Sequence, residues 1–303
     1  MKNKNLEAAL WGAFYGDAYA LGGHWVYDCE EIENADLNMQ GFNNPMTSYH
    51  NDKKAGEFTH YGDQMLWLLE SIALEKEFRL ADFASRWKTY TQNYQGYVDG
   101  ASKHTLESLD AGKGVLGCGS SSHDLSVVGR FMPLIYRYQN EFDMMMENVK
   151  LHTVFTHMNK ELVQTAAYFN EVIMGLSIGG ELESLLLENA KHYDEKLQHW
   201  VTLGSKSLHL ETNEAIKELG QSCSVDGGFP SVIHLLLRYS GDFNGAMKAN
   251  VLAGGDSAAR GLLVGALLGA QGGMDVIDHA LCQKLLHFEK IKNYISMIDA
   301  QNA

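Results

Sequence analysis

Two stretches of this chain put an acid beside permissive backbone where a helix could begin: FTHYGDQM, residues 58–65, and AGGDSAARG, residues 253–261. A helix N-terminus offers free amide donors and the positive end of the helix dipole, so it suits the anionic part of a ligand. A carboxylate placed there either caps the helix or faces a pocket as a general base. For Asp63 or Asp256 taken singly, the cap is the simpler reading. A third stretch, GDAYALGGHW at 16–25, joins Asp17, the pair Gly22-Gly23, His24 and Trp25. Glycine costs roughly 1 kcal/mol in a helix interior relative to alanine, so a helix ends here and the chain turns. His24 and Trp25 then either face a pocket or form its buried rim.

Further candidates are spread along the chain. Ser122 and Asp124, in SSSHDLSVVGR, are suited to sugar hydroxyls, although Ser-rich stretches also form turns and caps. Arg130 suits phosphate or a buried ion pair, and His157 in THMN suits a cleft or a structural role. The segment CSVDGGFP, 223–230, has the composition of a cleft wall, with Asp226-Gly227-Gly228 reading as a turn.

The elements that must position these residues read as helices. Apolar periodicity marks 6–20, 80–90, 132–146, 182–203, 231–239 and 243–252. A helix over 63–73 would use Asp63 as its cap, and one over 156–176 would begin at Thr156. Over 257–270, Gly261, Gly265 and Gly269 recur every four residues, a stripe that lets another backbone approach closely. No segment alternates with period two, and only three prolines interrupt the chain. The expectation is an all-α fold, a single compact many-helix domain over residues 1–303.

The net charge of −14 disfavours broad nucleic-acid or anionic-membrane surfaces. The four cysteines are far apart and form no CxxC pair, which points to reduced thiols. The apolar run LLVGALLGA is too short for a bilayer, which needs about 20 residues. A cytoplasmic protein without nucleic-acid or membrane partners is expected.

In order along the chain, GAFYGDAYALGGHW (12–25), HYGDQM (60–65), SSSHDLSVVGRFMPL (120–134), THMN (156–159) and GGDSAARGLLVGALLGAQGG (254–273) make a recognisable series. The sequence resembles the ADP-ribosylglycohydrolase family, which also contains the crystallin J1 proteins. The resemblance implies the family fold, an ADP-ribose cleft faced by His24 and Trp25, and an activity on glycosidic bonds. In the metal-dependent members, Thr-Asp-Asp of the early motif and Asp-x-Asp-Thr of the late one hold a pair of magnesium ions. Here His60, Tyr61 and Gly62 stand in the early positions, with Asp63 one place beyond. In the late motif Asp256 matches the first acid, while Ala258 and Ala259 replace the second acid and the threonine. Hard cations need several oxygen ligands, so the standard dimagnesium centre is not expected, nor is any other cofactor.

The residues that remain define the expected site. Asp63 and Asp256 are the candidate general bases and His60 the acid. His24, Trp25, Tyr61, Ser122, Asp124, Arg130, His157, Ser257 and Arg260 are the candidate substrate contacts, Arg260 for phosphate. The functional expectation is a hydrolase acting on an ADP-ribosyl or related N- or O-glycosidic bond of a small molecule or ADP-ribosylated substrate. The alternative is a catalytically inactive ligand-binding or crystallin-like protein. A third reading, a transition-metal site of His24, His60, Asp63 and Asp256, matches no standard metal spacing.

Overall fold

The computed structural model describes residues 3–302. The chain opens with α1 (Lys4–Ala20), α2 (Cys29–Asn34), α3 (His60–Glu75), α4 (Leu80–Asn93) and α5 (Gly100–Asp110). The short α6 (Ser126–Gly129) and α7 (Met132–Arg137) lead into α8 (Phe142–Thr156) and α9 (Lys160–Ser177). Then follow α10 (Leu182–Ala190), α11 (Glu195–Lys206), α12 (Thr212–Leu219), α13 (Val225–Arg238) and α14 (Phe243–Leu252). The chain closes with α15 (Ser257–Gly272), α16 (His279–Cys282) and α17 (Phe288–Asn302). The all-α expectation holds: among the described residues, extended pairing is confined to two isolated bridges, Ser120 with His157 and Asp124 with Ser224. No helix there is long and apolar enough to cross a membrane, and the four cysteines are free.

The centre of the fold is the pair α1 and α15, buried along nearly their whole lengths. The glycine stripe explains how they meet. A Cβ on Gly261 would lie 2.6 Å from the Gly16 carbonyl oxygen, and one on Gly269 would lie 2.5 Å from that of Ala8. Gly12 and Gly265 touch so closely that neither has room for a side chain. Residue 8 therefore meets 269, 12 meets 265 and 16 meets 261, so the helices run antiparallel. This register sets the end of α1 beside the start of α15, which delivers His24 to Asp256.

Several boundaries differ from the sequence expectation, each set by specific hydrogen bonds. The third helix begins at His60, because Thr59 caps it by accepting from Tyr61 N at 3.1 Å. Asp17 in turn holds Thr59 through its amide (2.8 Å) and hydroxyl (2.6 Å), so a residue 42 positions away fixes the helix start. The expected 132–146 helix is two helices: the chain leaves α7 at Tyr138, whose hydroxyl accepts from Phe78 N at 2.7 Å. Thr156 ends α8, and Asn159 caps α9 by accepting from Glu161 N (2.8 Å) and Leu162 N (3.2 Å). Ser224 caps α13, so Asp226-Gly227-Gly228 form its first turn rather than a loop, and Pro230 lies inside the helix. Only the span 243–252 coincides with its expected helix at both ends.

Candidate functional site

The start of α15 is built by two consecutive left-handed glycines, Gly254 and Gly255, both at φ +68°. That conformation is open to glycine and strained for other residues. It turns the chain so that Gly255 pairs with the strand-like segment after α1. Trp25 N donates to Gly255 O at 2.8 Å, and Gly255 N donates to Val26 O at 2.6 Å. Asp256 then caps α15, its Oδ1 accepting from Ala259 N at 2.9 Å. Its Oδ2 accepts from the Tyr61 hydroxyl at 3.0 Å.

Tyr61 brings α3 to the same place. Two residues further on, Asp63 lies about 200° around the helix from Tyr61, on the opposite face. Its carboxylate is taken by Lys53 Nζ at 2.6 Å and by the Tyr94 hydroxyl. Of the two candidate bases, Asp63 is thus held on the Lys53 side of α3, away from Asp256.

Asp124 supplies the second carboxylate instead. Its loop is stitched on both sides: Ser120 N donates to Thr156 O (2.9 Å) and Met158 N to Ser120 O (2.7 Å). On the other side Leu125 N donates to Cys223 O and Val225 N to His123 O, both at 2.8 Å. Asp124 Oδ1 accepts from Ser126 N at 2.8 Å, leaving Oδ2 at 3.4 Å from the Tyr61 hydroxyl. One ligand atom from each of Asp124, Cys223 and Asp256 lies within 4.8 Å of the others. Sequence reasoning placed Cys223 only in a cleft wall; nothing local to it reveals this convergence.

A cavity of about 470 Å³ opens over this cluster, lined by Trp25, Tyr97, Asp99, Ser122, Asp124 and Cys223 among others. A larger groove of about 550 Å³ runs between residues 27–30 and 213–217, away from the converged carboxylates. Burial, then the Asp256 charge, pushes the Asp124 pKa up to about 7. Burial also raises Asp256 and the Cys223 thiol.

Beneath the cavity lies a polar layer. His24 is fully buried and stacks on Trp25 with ring centroids 4.4 Å apart. Its Nδ1 is 3.4 Å from the donor Ala258 N and 3.6 Å from Asp256 Oδ1. Its Nε2 has no hydrogen-bond partner, and burial pushes its pKa well below the usual histidine range. His60 is buried too, with Nε2 3.7 Å from Asp99 Oδ2 and Nδ1 3.3 Å from His50 Nε2. Burial lowers its pKa to about 3, so it is neutral, and Asp99 separates it from the cavity. Asp99, unforeseen in the sequence, caps α5 by accepting from Ser102 N at 2.7 Å. A cap signal was present, since Asp99 precedes a helical pattern.

The other expected contacts are internal. Arg130 is buried and donates to Gln64 Oε1. His157 is buried, with Nδ1 2.8 Å from Thr156 Oγ1. Arg260 binds Asn250 Oδ1 (2.9 Å) and the Gly254 carbonyl, bracing the turn before α15 instead of facing a phosphate. Ser257 is buried, its hydroxyl 3.4 Å from Ala20 O. Ser122 does line the cavity, and its Oγ accepts from Asp124 N at 3.2 Å.

Known proteins match this chain over three quarters of its length or more. Crystallin J1B of Tripedalia cystophora is 22% identical over 315 residues, covering 96% of this chain and 95% of the relative. An uncharacterised protein of Archaeoglobus fulgidus is 24% identical over 236 residues, 75% of each chain. Among solved structures, an ADP-ribosylglycohydrolase-related protein complex superposes with a TM-score of 0.73 at 19% identity, covering 99% of this chain and 100% of that one. The ADP-ribosylglycohydrolase family model matches residues 2–302, and the chain belongs to that family of glycohydrolases.

Proposed function

We propose that this protein hydrolyses an ADP-ribosyl or related N- or O-glycosidic bond at the cavity lined by Trp25 and Asp124, above the buried Asp256, without the family's dimagnesium centre. The observation that carries the reading is the Tyr61 hydroxyl set between Asp256 Oδ2 (3.0 Å) and Asp124 Oδ2 (3.4 Å) at a cavity of about 470 Å³. Asp124 lines the cavity and offers an acceptor that orients a water, and Tyr61 links it to the buried Asp256 beneath. The Ser120–Ser122 loop offers hydroxyls to the sugar, and Trp25 with Tyr97 offers aromatic surface. Paired carboxyl groups flanking the scissile bond are the usual means of glycoside hydrolysis. The substrate is a small molecule or an ADP-ribosylated group, met in the cytoplasm.

The donor set argues against magnesium. Mg²⁺ demands near-octahedral oxygen ligation, whereas the converged groups here include a thiol. Gly62 stands where the early motif has an acid, and a Cβ there would lie 2.5 Å from Asp17 Oδ2. Asp63, the neighbouring acid, is committed to Lys53.

Turnover on a panel of ADP-ribosyl and nucleoside substrates, without added magnesium, tests the reading. The wild type should cleave at least one, and Asp256→Asn should lower the rate by roughly 100-fold. No turnover on any substrate overturns it. The similarity to crystallin J1B over 96% of the chain then favours the second reading, a ligand-binding or structural protein. In that case ADP-ribose raises the unfolding midpoint without being cleaved.

A further inference from the structure

The cavity wall combines two carboxylates, Asp99 and Asp124, a run of serine hydroxyls at 120–122 and the rings of Trp25 and Tyr97. Among the described residues that line it, none is a lysine or arginine. An ionised carboxylate is an acceptor only, so it suits the hydroxyl donors of a sugar, and aromatic rings suit the apolar faces of a sugar or base. A phosphate is likewise an acceptor and needs donors. The places that would supply them are taken by the chain itself. The first turn of α5 forms part of the wall through Gly100, Ala101 and His104. A helix start of this kind suits an anion. Asp99 occupies it, accepting from Ser102 N at 2.7 Å and from Ser102 Oγ at 2.8 Å. Beneath the cavity, Asp256 occupies the start of α15 in the same way, through Ala259 N at 2.9 Å. Arg260 is spent on Asn250 and Gly254, and Lys53 on Asp63. Arg130 is buried outside the lining and offsets the charges of Asp99 and Asp124. Lys103, 5.8 Å from the centre of the Tyr97 ring, and His104 are exposed, and such charges are weakened by solvent and salt.

We propose that the cavity selects a ribosyl glycoside that carries no phosphate, its sugar hydroxyls held by Asp99, Asp124 and the 120–122 loop beside the Trp25 and Tyr97 rings. The chain's own carboxylates stand where a phosphate would bind, and a ligand that brings one meets like charge. The ribosyl unit and its cleavage rest on the hydrolytic reading of the cavity; the preference against phosphate does not.

The test compares adenosine, AMP and ADP-ribose, which share a nucleoside and differ in phosphate, by calorimetric titration of the intact protein. Adenosine should bind roughly 10-fold or more tighter than AMP, and tighter than ADP-ribose. The gap should narrow as salt rises, because salt screens the repulsion. Asp99→Asn removes the charge and should narrow the gap in the same direction. Lys103→Ala should leave adenosine binding unchanged. 4-Nitrophenyl β-D-riboside, titrated beside adenosine, separates an O-linked from an N-linked preference. The comparison of ligands on the unaltered protein stands even where a variant fails to fold. Tighter binding of AMP or ADP-ribose than of adenosine overturns the proposal, as does failure of adenosine and the nitrophenyl riboside alike to bind. Preferential adenosine binding with no turnover of any substrate sinks the hydrolase reading alone. Cleavage of an ADP-ribosyl bond with ADP-ribose bound tightest sinks this inference alone.

Discussion

The glycine seam and the cavity at its end are made by the same two helices, and they obey opposite rules. Along the seam, α1 and α15 approach until backbone meets backbone and no side-chain atom fits between them. At the end of that seam two carboxylates, Asp256 and Asp124, are crowded together, and His24 keeps an unpartnered nitrogen. The first arrangement is optimal for stability, while the second costs stability. Such a division is expected where a rigid scaffold holds a strained site in register. The seam also supplies precision, since its register fixes where Asp256 meets the segment after α1.

Substitution should separate the two regions, beginning with the seam. Gly265→Ala places a Cβ against the Gly12 carbonyl in a helix pair with nowhere to move. We expect a loss of about 3 kcal/mol or more, read by urea unfolding. An unchanged midpoint would mean that the seam can open. In the cavity, Asp256→Asn should have the reverse profile. Asparagine can still cap α15, so the unfolding midpoint stays or rises while turnover falls roughly 100-fold. A large loss of stability would reclassify Asp256 as structural. Arg260→Lys lies between the regions. Lysine cannot reproduce the fork that holds Asn250 and Gly254, so stability should fall by about 2 kcal/mol with little change in KM. A KM effect without a stability effect would return Arg260 to the substrate.

Asp17 gives a subtler contrast. Burial raises its pKa from 3.8 to about 7, even though Thr59 donates two hydrogen bonds to it. The folded state therefore holds this proton where the unfolded chain has lost it. The contribution of Asp17 is complete below about pH 4 and is lost as pH rises to about 7. Stability measured across that range should fall less steeply in Asp17→Asn than in the wild type. Identical slopes would show that Asp17 keeps an ordinary pKa. The smallest effect belongs to Gly114→Ala, where a Cβ meets nothing within 4 Å. Its midpoint should move by no more than about 0.5 kcal/mol.

The helical fold was legible because apolar periodicity is local, and the glycine stripe of α15 announced a close contact. Its partners, Gly12 and Gly16, were not legible, since nothing in one helix names the other. The same holds at the site. Asp256 could be read from the Gly-Gly-Asp turn before a helix. Asp63 looked equivalent, but its true distinction from Tyr61 is the helix face, which depends on Thr59 being the cap. That cap depends on Asp17, far away in the chain. Arg130 and Arg260 looked like phosphate ligands because a sequence does not reveal which guanidinium is buried. Cys223 reaches Asp124 and Asp256 only through the 120–125 loop and its bridge to Ser224.

The stacking of Trp25 on His24 has an optical consequence. Of the five tryptophans, Trp11, Trp87 and Trp200 are buried in the core and Trp67 is partly buried against Tyr90 and Tyr94, whereas Trp25 lines the cavity. Its indole stacks on the His24 imidazole, meets Tyr49 and Tyr97 edge-on, and borders the cavity. A ligand entering there displaces water from one fluorophore and leaves the core ones untouched. The protein thus carries its own emission reporter at the mouth of the cavity, and occupancy can be followed without a label.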